Sequence, residues 1–280
     1  MSRSERYRRD ATEEPIYIKI ALIFICIAFL SLTLVVPLYV VFSEALSKGF
    51  EVFYQALVEP DALSALYLTL IAALVSNVCN LVFGVAAAWC VSKYEFKGKS
   101  LLISLIDLPL AISPVIAGMM FVLLFGVHGV LGGFLDSIGL KVIFAAPGII
   151  LCTIFVTCPL IARELIPLMQ EQGNDEESAA LTLGANGFQT FFYITLPKIK
   201  WALLYGLILC NARGMGEFGA VSVVSGHIRG ETNTLPLHIE VLYNDYDFAA
   251  AFAVSSLLAC LAILTLILKT LLENYYVKKV

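Results

Sequence analysis

The chain has 280 residues, of which 60% are hydrophobic and 14% charged, with a net charge of −4 and a mean hydropathy of +0.89. These values exclude an intrinsically disordered chain and lie far above those of an ordinary soluble domain. They point to an all-α polytopic membrane protein, because a bilayer requires every backbone polar group to be satisfied internally and long unbroken apolar runs achieve this as helices.

Six runs are long enough to cross a ~30 Å hydrocarbon core, which takes ~20 helical residues each. A short basic tail, residues 1–15, carries Arg3, Arg6, Arg8 and Arg9. Ile20–Phe42 follows, too long for the apolar region of a signal peptide, and is expected to be a retained helix. With its outer loop it makes up residues 16–59. The core, residues 60–271, begins with Ala62–Ser92. Ser100–Gly126 holds one charge, Asp107, and two prolines, Pro109 and Pro114. Val142–Ala162 is uncharged and contains Pro159. Trp201–Ser225 holds Arg213 and Glu217, and Phe248–Leu268 closes the set before a tail at residues 272–280. The prolines are expected to kink the third and fourth spans.

The distribution of Lys and Arg sets the orientation. Fourteen fall on the side of the two tails and the second and fourth loops, among them Lys93, Lys97, Lys99, Lys198 and Lys200; three, Lys48, Lys141 and Arg229, fall on the other. Both tails are therefore expected in the cytoplasm. The seven cysteines all lie in apolar runs without a Cys-x-x-Cys pair, and are expected to be buried apolar residues, with no disulfide or metal site.

No catalytic motif is found. Gly98-Lys99-Ser100 has the tail of a P-loop, but Lys93 stands where the first glycine is required. The chain is expected to be no enzyme, to bind no cofactor and to contact no nucleic acid.

The longest interruption is Gly173–Lys200, GNDEESAALTLGANGFQTFFYITLPKIK. Asn174 and Glu177 have the spacing of a helix cap with a reciprocal acid. Asp175, Glu176 and Glu177 would then favour the positive end of the helix dipole. Ala179, Ala180, Leu183 and Gly184 recur at helical spacing as a small, smooth face. Gly184 and Gly187 end or bend that helix, and a second short amphipathic piece with Phe188, Phe191 and Phe192 is closed by Pro197. Such a face suits docking in a groove of a partner. The alternative is a helix lying on lipid headgroups, which more often carries Lys and Arg than acids.

Ser178-Ala179-Ala180, Gly184, Ile194, Leu196 and Pro197 are in register with a loop of the form Glu-Ala-Ala-x3-Gly-x9-Ile-x-Leu-Pro. This resembles the permeases of binding-protein-dependent ABC importers, with Ser178 in place of the glutamate. Asp107–Gly118, Thr157–Met169, Asn211–Thr232 and Thr234–Glu240 are similar to the sulfate/thiosulfate branch, nearest its CysW-type subunit; molybdate permeases share the Gly-Glu-Phe-Gly-Ala part. The resemblance implies a MetI-like type I importer fold of six transmembrane helices. It further implies that Ser178, Ala179, Ala180, Leu183, Gly184, Ile194, Leu196 and Pro197 form a cytoplasmic coupling helix and its support. The implied partners are an ATP-binding subunit that carries ATP and Mg, a second, CysT-type permease, and an external sulfate/thiosulfate-binding protein, all at the cytoplasmic (inner) membrane. A secondary transporter would not need that loop.

Arg213 and Glu217, four residues apart, would share a face of the fifth span, with Asp107 as a third member. Either they line a translocation path or they lock helices together. Asn77, Asn80 and Asn211 are expected to bond between helices. The loop Gly226–Asp247, with a short helix near Pro236–Leu242, would seat an external binding protein through Arg229 and Tyr243, or form a solvated loop with an aromatic belt.

Overall fold

The computed structural model describes residues 16–277, with side chains to Leu271. The tail at 1–15 and Lys278 and Lys279 lie outside the described residues. Among these residues there is no strand. In chain order the helices are α1 (Ile16–Ala45), α2 (Phe50–Val58), α3 (Pro60–Lys93), α4 (Lys99–Ala111), α5 (Pro114–Phe125) and α6 (Gly132–Ser137). They continue with α7 (Ala146–Gln172), α8 (Asp175–Thr182), α9 (Gly187–Met215), α10 (Gly219–Ser225), α11 (Leu235–Asn244) and α12 (Phe248–Val277). The last extends about two and a half turns beyond the expected sixth run, which ends at Leu268.

Five of these are long and apolar enough to cross a membrane unbroken: α1, α3, α7, α9 and α12 up to Leu271. The third expected run is not one rod. It divides into α4 and α5, bent by 106°. Pro114 explains the break, since the residue before a proline is driven to extended backbone, and Ser113 sits at φ −58°, ψ 132°. The fifth run is also divided: α9 ends at Met215 and α10 starts at Gly219. The fourth starts late, at Ala146, and continues unbroken through Pro159 and Pro167 to Gln172.

Two spans carry a π turn just ahead of a proline. Ser31–Val35 precedes Pro37 in α1, and Phe191–Thr195 precedes Pro197 in α9. Proline removes one i→i−4 bond and its ring crowds the carbonyl four residues back. The wider turn relieves both: Val36 donates to the Ser31 carbonyl and Leu196 to that of Phe191, five residues back. Pro197 therefore does not close a separate short helix, as its place in the sequence suggested. It is absorbed into a span that starts at Gly187.

The core is the crossing of α3, α7 and α9. Ala88, Ile161, Leu165, Met169, Ile199 and Cys210 form one buried cluster there. Close approach depends on glycine: a Cβ at Gly84 would lie 2.7 Å from both Cβ and Cγ2 of Ile161, and one at Gly206 would lie 3.2 Å from the Ile161 Cα. Gly84→Val would gain at most about 1 kcal/mol of helix propensity, whereas overpacking costs about 1–3 kcal/mol. The clash wins, so thermal unfolding of the detergent-purified protein is expected to shift downward. At the other end, α5 and α10 meet across Gly118, where a Cβ would lie 2.7 Å from the Ala220 carbonyl oxygen. α1 is strongly apolar, buries nothing before Ala45 and packs on α12 through its last part, Val36–Ala45. This pattern suits a lipid-facing span. The cysteines divide accordingly. Cys152 and Cys210 are buried as expected, but Cys26, Cys79 and Cys260 lie exposed on outward faces, and all seven are free.

Candidate functional site

The interruption between α7 and α9 forms a compact knob at the end of the bundle where α3 terminates. Its helix, α8, has three acids in the first turn. Asn174 does not cap it with its side chain, contrary to the expected reciprocal cap, because Glu177 is turned inward to a different partner. The C-terminus of α8 is a Schellman closure. Ala185 N–H bonds the Ala180 carbonyl and Gly184 N–H bonds that of Leu181, both at 3.0 Å. This closure requires the left-handed region at Gly184, found at φ +92°. The next turn is fixed by a capping box the sequence reading overlooked: Asn186 Oδ1 accepts from Gln189 N–H, and Gln189 Oε1 from Asn186 N–H, each at 2.9 Å. Its signal was the Asn-x-x-Gln spacing.

This geometry sorts the expected docking residues. Ser178, Ala179, Leu183, Gly184 and Pro197 are exposed, whereas Ala180, Ile194 and Leu196 are half-buried and hold the knob to the span. Leu183 is 88% exposed, and Phe188 and Tyr193 each 79%. Phe191 turns inward and packs on Trp89 of α3, with ring centroids 5.4 Å apart.

Behind the knob is a buried polar joint that the sequence reading missed. Lys93, the last residue of α3, donates to Glu177 Oε1 at 2.9 Å and to the Gly173 carbonyl at 2.5 Å. Thr195 Oγ1 donates to the same Glu177 oxygen at 3.1 Å. Lys198 of α9 pairs with Glu176 at 2.5 Å. Burial by itself pushes the Glu177 carboxyl up, but the Lys93 hydrogen bond and charge, with help from Thr195, outweigh it and hold the group below the ordinary value of 4.5. A carboxyl lowered on folding stabilises above its unfolded pKa. The joint is therefore intact at neutral pH and weakens only as pH falls below 4.5 through the lowered value.

Within the spans, the asparagines link helices as expected. Asn80 donates to Thr157 Oγ1 at 2.7 Å and Asn77 to Asn211 Oδ1 at 3.0 Å. Arg213 pairs with Glu217 at 2.6 Å, but not as two residues on one helical face, because Glu217 lies past the end of α9. The Glu217 side chain is 1% exposed, and its other oxygen accepts from Ala220 N–H at 3.0 Å. Glu217 thus ties the end of α9 to the start of α10. Arg213 is 42% exposed. Asp107 does not join this pair. The bend at Ser113 takes α4 elsewhere, and Asp107 faces Arg163 of α7 at 3.5 Å. At the opposite end of the bundle from the knob, α11 appears where the short helix was expected. Arg229 is ion-paired with Asp245, and Tyr243 is half-exposed with its ring 5.1 Å from that of Phe248.

Residues 80–277 match the family described as the inner membrane component of binding-protein-dependent transport systems. The chain is similar to the sulfate transport system permease protein CysW of Escherichia coli (strain K12), 51% identical over 86% of this chain and 82% of that protein. It is less similar to the sulfate transport system permease protein CysT of Salmonella typhimurium, at 33% identity over 93% of this chain and 92% of that protein. Among solved structures, a chain of a bacterial alginate ABC transporter, crystallised with its periplasmic protein bound to alginate pentasaccharide, has the same fold. Its TM-score is 0.75 at 18% identity, covering 95% of this chain and 94% of that one. The knob, the broken spans and the bundle around them are therefore those of a multi-pass membrane protein that belongs to the family of inner membrane components of binding-protein-dependent transport systems, on its CysW side.

Proposed function

We propose that this chain is one permease subunit of an ATP-driven importer of sulfate and thiosulfate. In this reading the α8 knob points into the cytoplasm and seats in an ATP-binding subunit. A CysT-type permease completes the membrane pair, and an external binding protein delivers the anion near α11, Arg229 and Tyr243. The chain itself holds no ATP or metal. The carrying observation is the knob. It is a rigidly closed turn whose apolar residues Leu183 and Phe188 are almost fully exposed, in register with the coupling-helix motif. Exposed apolar side chains of this size on a polar rim fit a protein groove. The acids beside them disfavour an anionic lipid surface. The names of the relatives support sulfate as cargo. The fourteen-to-three bias of Lys and Arg supports cytoplasmic termini.

The half-exposed Arg213 calls for a polar or aqueous neighbour, because a charge in a span is not left against lipid. We place the α9 face with Arg213 at the seam with the second permease. The test is uptake of labelled sulfate and of labelled molybdate by cells lacking this chain, with and without its restoration. Restored sulfate uptake together with co-purification of an ATP-hydrolysing subunit is expected. Restored molybdate uptake alone would transfer the cargo assignment to that anion.

A further inference from the structure

The joint behind the knob ties together three segments that the sequence separates widely. Lys93 ends a 34-residue helix that begins at Pro60, at the opposite end of the bundle. At 1.5 Å per residue such a helix is about 50 Å long. Its side chain is 7% exposed, and its ammonium bridges the carbonyl before α8 and the carboxylate in its first turn. The same carboxylate oxygen receives the Thr195 hydroxyl from the π turn of α9. These bonds all run within one chain, and two of them converge on a single Glu177 oxygen, Oε1. By contrast, Ser178, at the position of the family motif's glutamate, is exposed.

We infer that Lys93, Glu177 and Thr195 form a positioning brace that makes α8 rigid with α3 and α9, so that displacement of the knob is passed to both spans. The inference rests on the reading of α8 as the docking element. Two observations separate the brace from ordinary packing. It is the charged contact of α3 with α8, and it engages α8 at its first turn, while the exposed apolar residues lie at the other end. Without it, α8 would be held through Lys198–Glu176, which is more exposed on the carboxylate side, through the half-buried Ala180, Ile194 and Leu196, and through the Schellman closure, all of which lead to α9 or to its own loop. The link to α3 would then be reduced to the packing of Phe191 on Trp89, with no polar tie from α8 itself.

The test uses the complete complex in proteoliposomes with its ATP-binding and binding-protein subunits. The readout is sulfate taken up per ATP hydrolysed by assembled complex. In the double variant Lys93→Met/Glu177→Met both charges are removed together, which avoids an orphaned buried ion. It is expected to assemble, to retain the ATP-binding subunit, and to lose about fivefold or more in uptake per ATP. Lys93→Arg keeps a cation on both acceptors and is expected to remain within about twofold of the parent. An unchanged ratio in the double variant would overturn the brace and reduce the joint to a structural contact. If the double variant does not assemble, Lys93→Met/Glu177→Gln, which keeps the acceptor for Thr195 but removes the tie to α3, is read by the same ratio with the same two outcomes. Failure of the parent complex to retain an ATP-binding subunit would instead overturn the docking reading, and the brace with it.

Discussion

Arg213→Ala is expected to deplete assembled protein rather than to produce a normal complex that fails to transport. Glu217 has a 1% exposed side chain and faces Arg213 at 2.6 Å. Removing the guanidinium leaves a buried carboxylate without its counterion. Breaking a fully buried pair costs about 3–5 kcal/mol. Because Arg213 is itself 42% exposed, the lower part of that range applies, and about 3 kcal/mol corresponds to roughly a hundredfold shift in the folded population. The loss falls at the point where the fold is most exposed to it, since Glu217 also receives the Ala220 N–H that starts α10. Arg213→Ala/Glu217→Gln removes the orphaned charge and keeps that acceptor, so assembly is expected to recover most of the way. Quantitative blotting of membrane-inserted complex, with sulfate uptake normalised to it, separates the two roles. Uptake per complex near the parent level in the double variant fits an anchor. Full assembly with uptake still abolished would make Arg213 part of the anion's path.

Leu183→Asp is expected to abolish retention of an ATP-binding subunit while leaving the chain folded in the membrane. Leu183 is 88% exposed and contributes almost nothing to the chain's own core. Fully burying a leucine side chain against a partner contributes about 1.5–3 kcal/mol, and placing a carboxylate in an apolar groove adds a desolvation penalty of several kcal/mol. Together these amount to at least about 4 kcal/mol, roughly a thousandfold in Kd, which takes an interface of ordinary affinity below what co-purification retains. Gly184→Val tests the same element from the backbone. A Cβ there meets nothing within 4 Å, but φ is +92°, a region β-branched residues rarely enter. The expected strain of about 1–2 kcal/mol falls on the closure of α8, so docking should weaken with little loss of membrane-inserted protein. Co-purification at fixed detergent and salt measures both variants.

The helical class, the number of apolar runs and the knob were legible because hydropathy and glycine placement act locally. Gly184 reads from sequence as an end or a bend, and the structure makes it an end, at φ +92°. The breaks were less legible. Ser113 before Pro114 and Gly216-Glu217-Phe218 before Gly219 sit inside apolar stretches, and hydropathy does not separate a straight rod from a bent pair of the same composition. The partner of Asp107 was missed for that reason: the bend directs α4 toward Arg163. The reciprocal cap assigned to Asn174 and Glu177 failed to a stronger competitor. Lys93 lies 84 residues away in sequence, and no local pattern announces it. Three adjacent acids at a helix start do not by themselves reveal that Glu177 is the buried one. The π turns at Ser31–Val35 and Phe191–Thr195 were legible in principle from Pro37 and Pro197, but Pro37 was passed over and Pro197 was read as a stop, whereas the structure uses both as a step.

The most direct measurement places a photo-reactive side chain at position 183 of the intact complex in sealed vesicles and identifies what it captures. Capture of an ATP-hydrolysing subunit, with position 183 shielded from reagents confined to the periplasmic side, is the expected result. Capture of the external binding protein, or modification of position 183 from the periplasmic side, would contradict it.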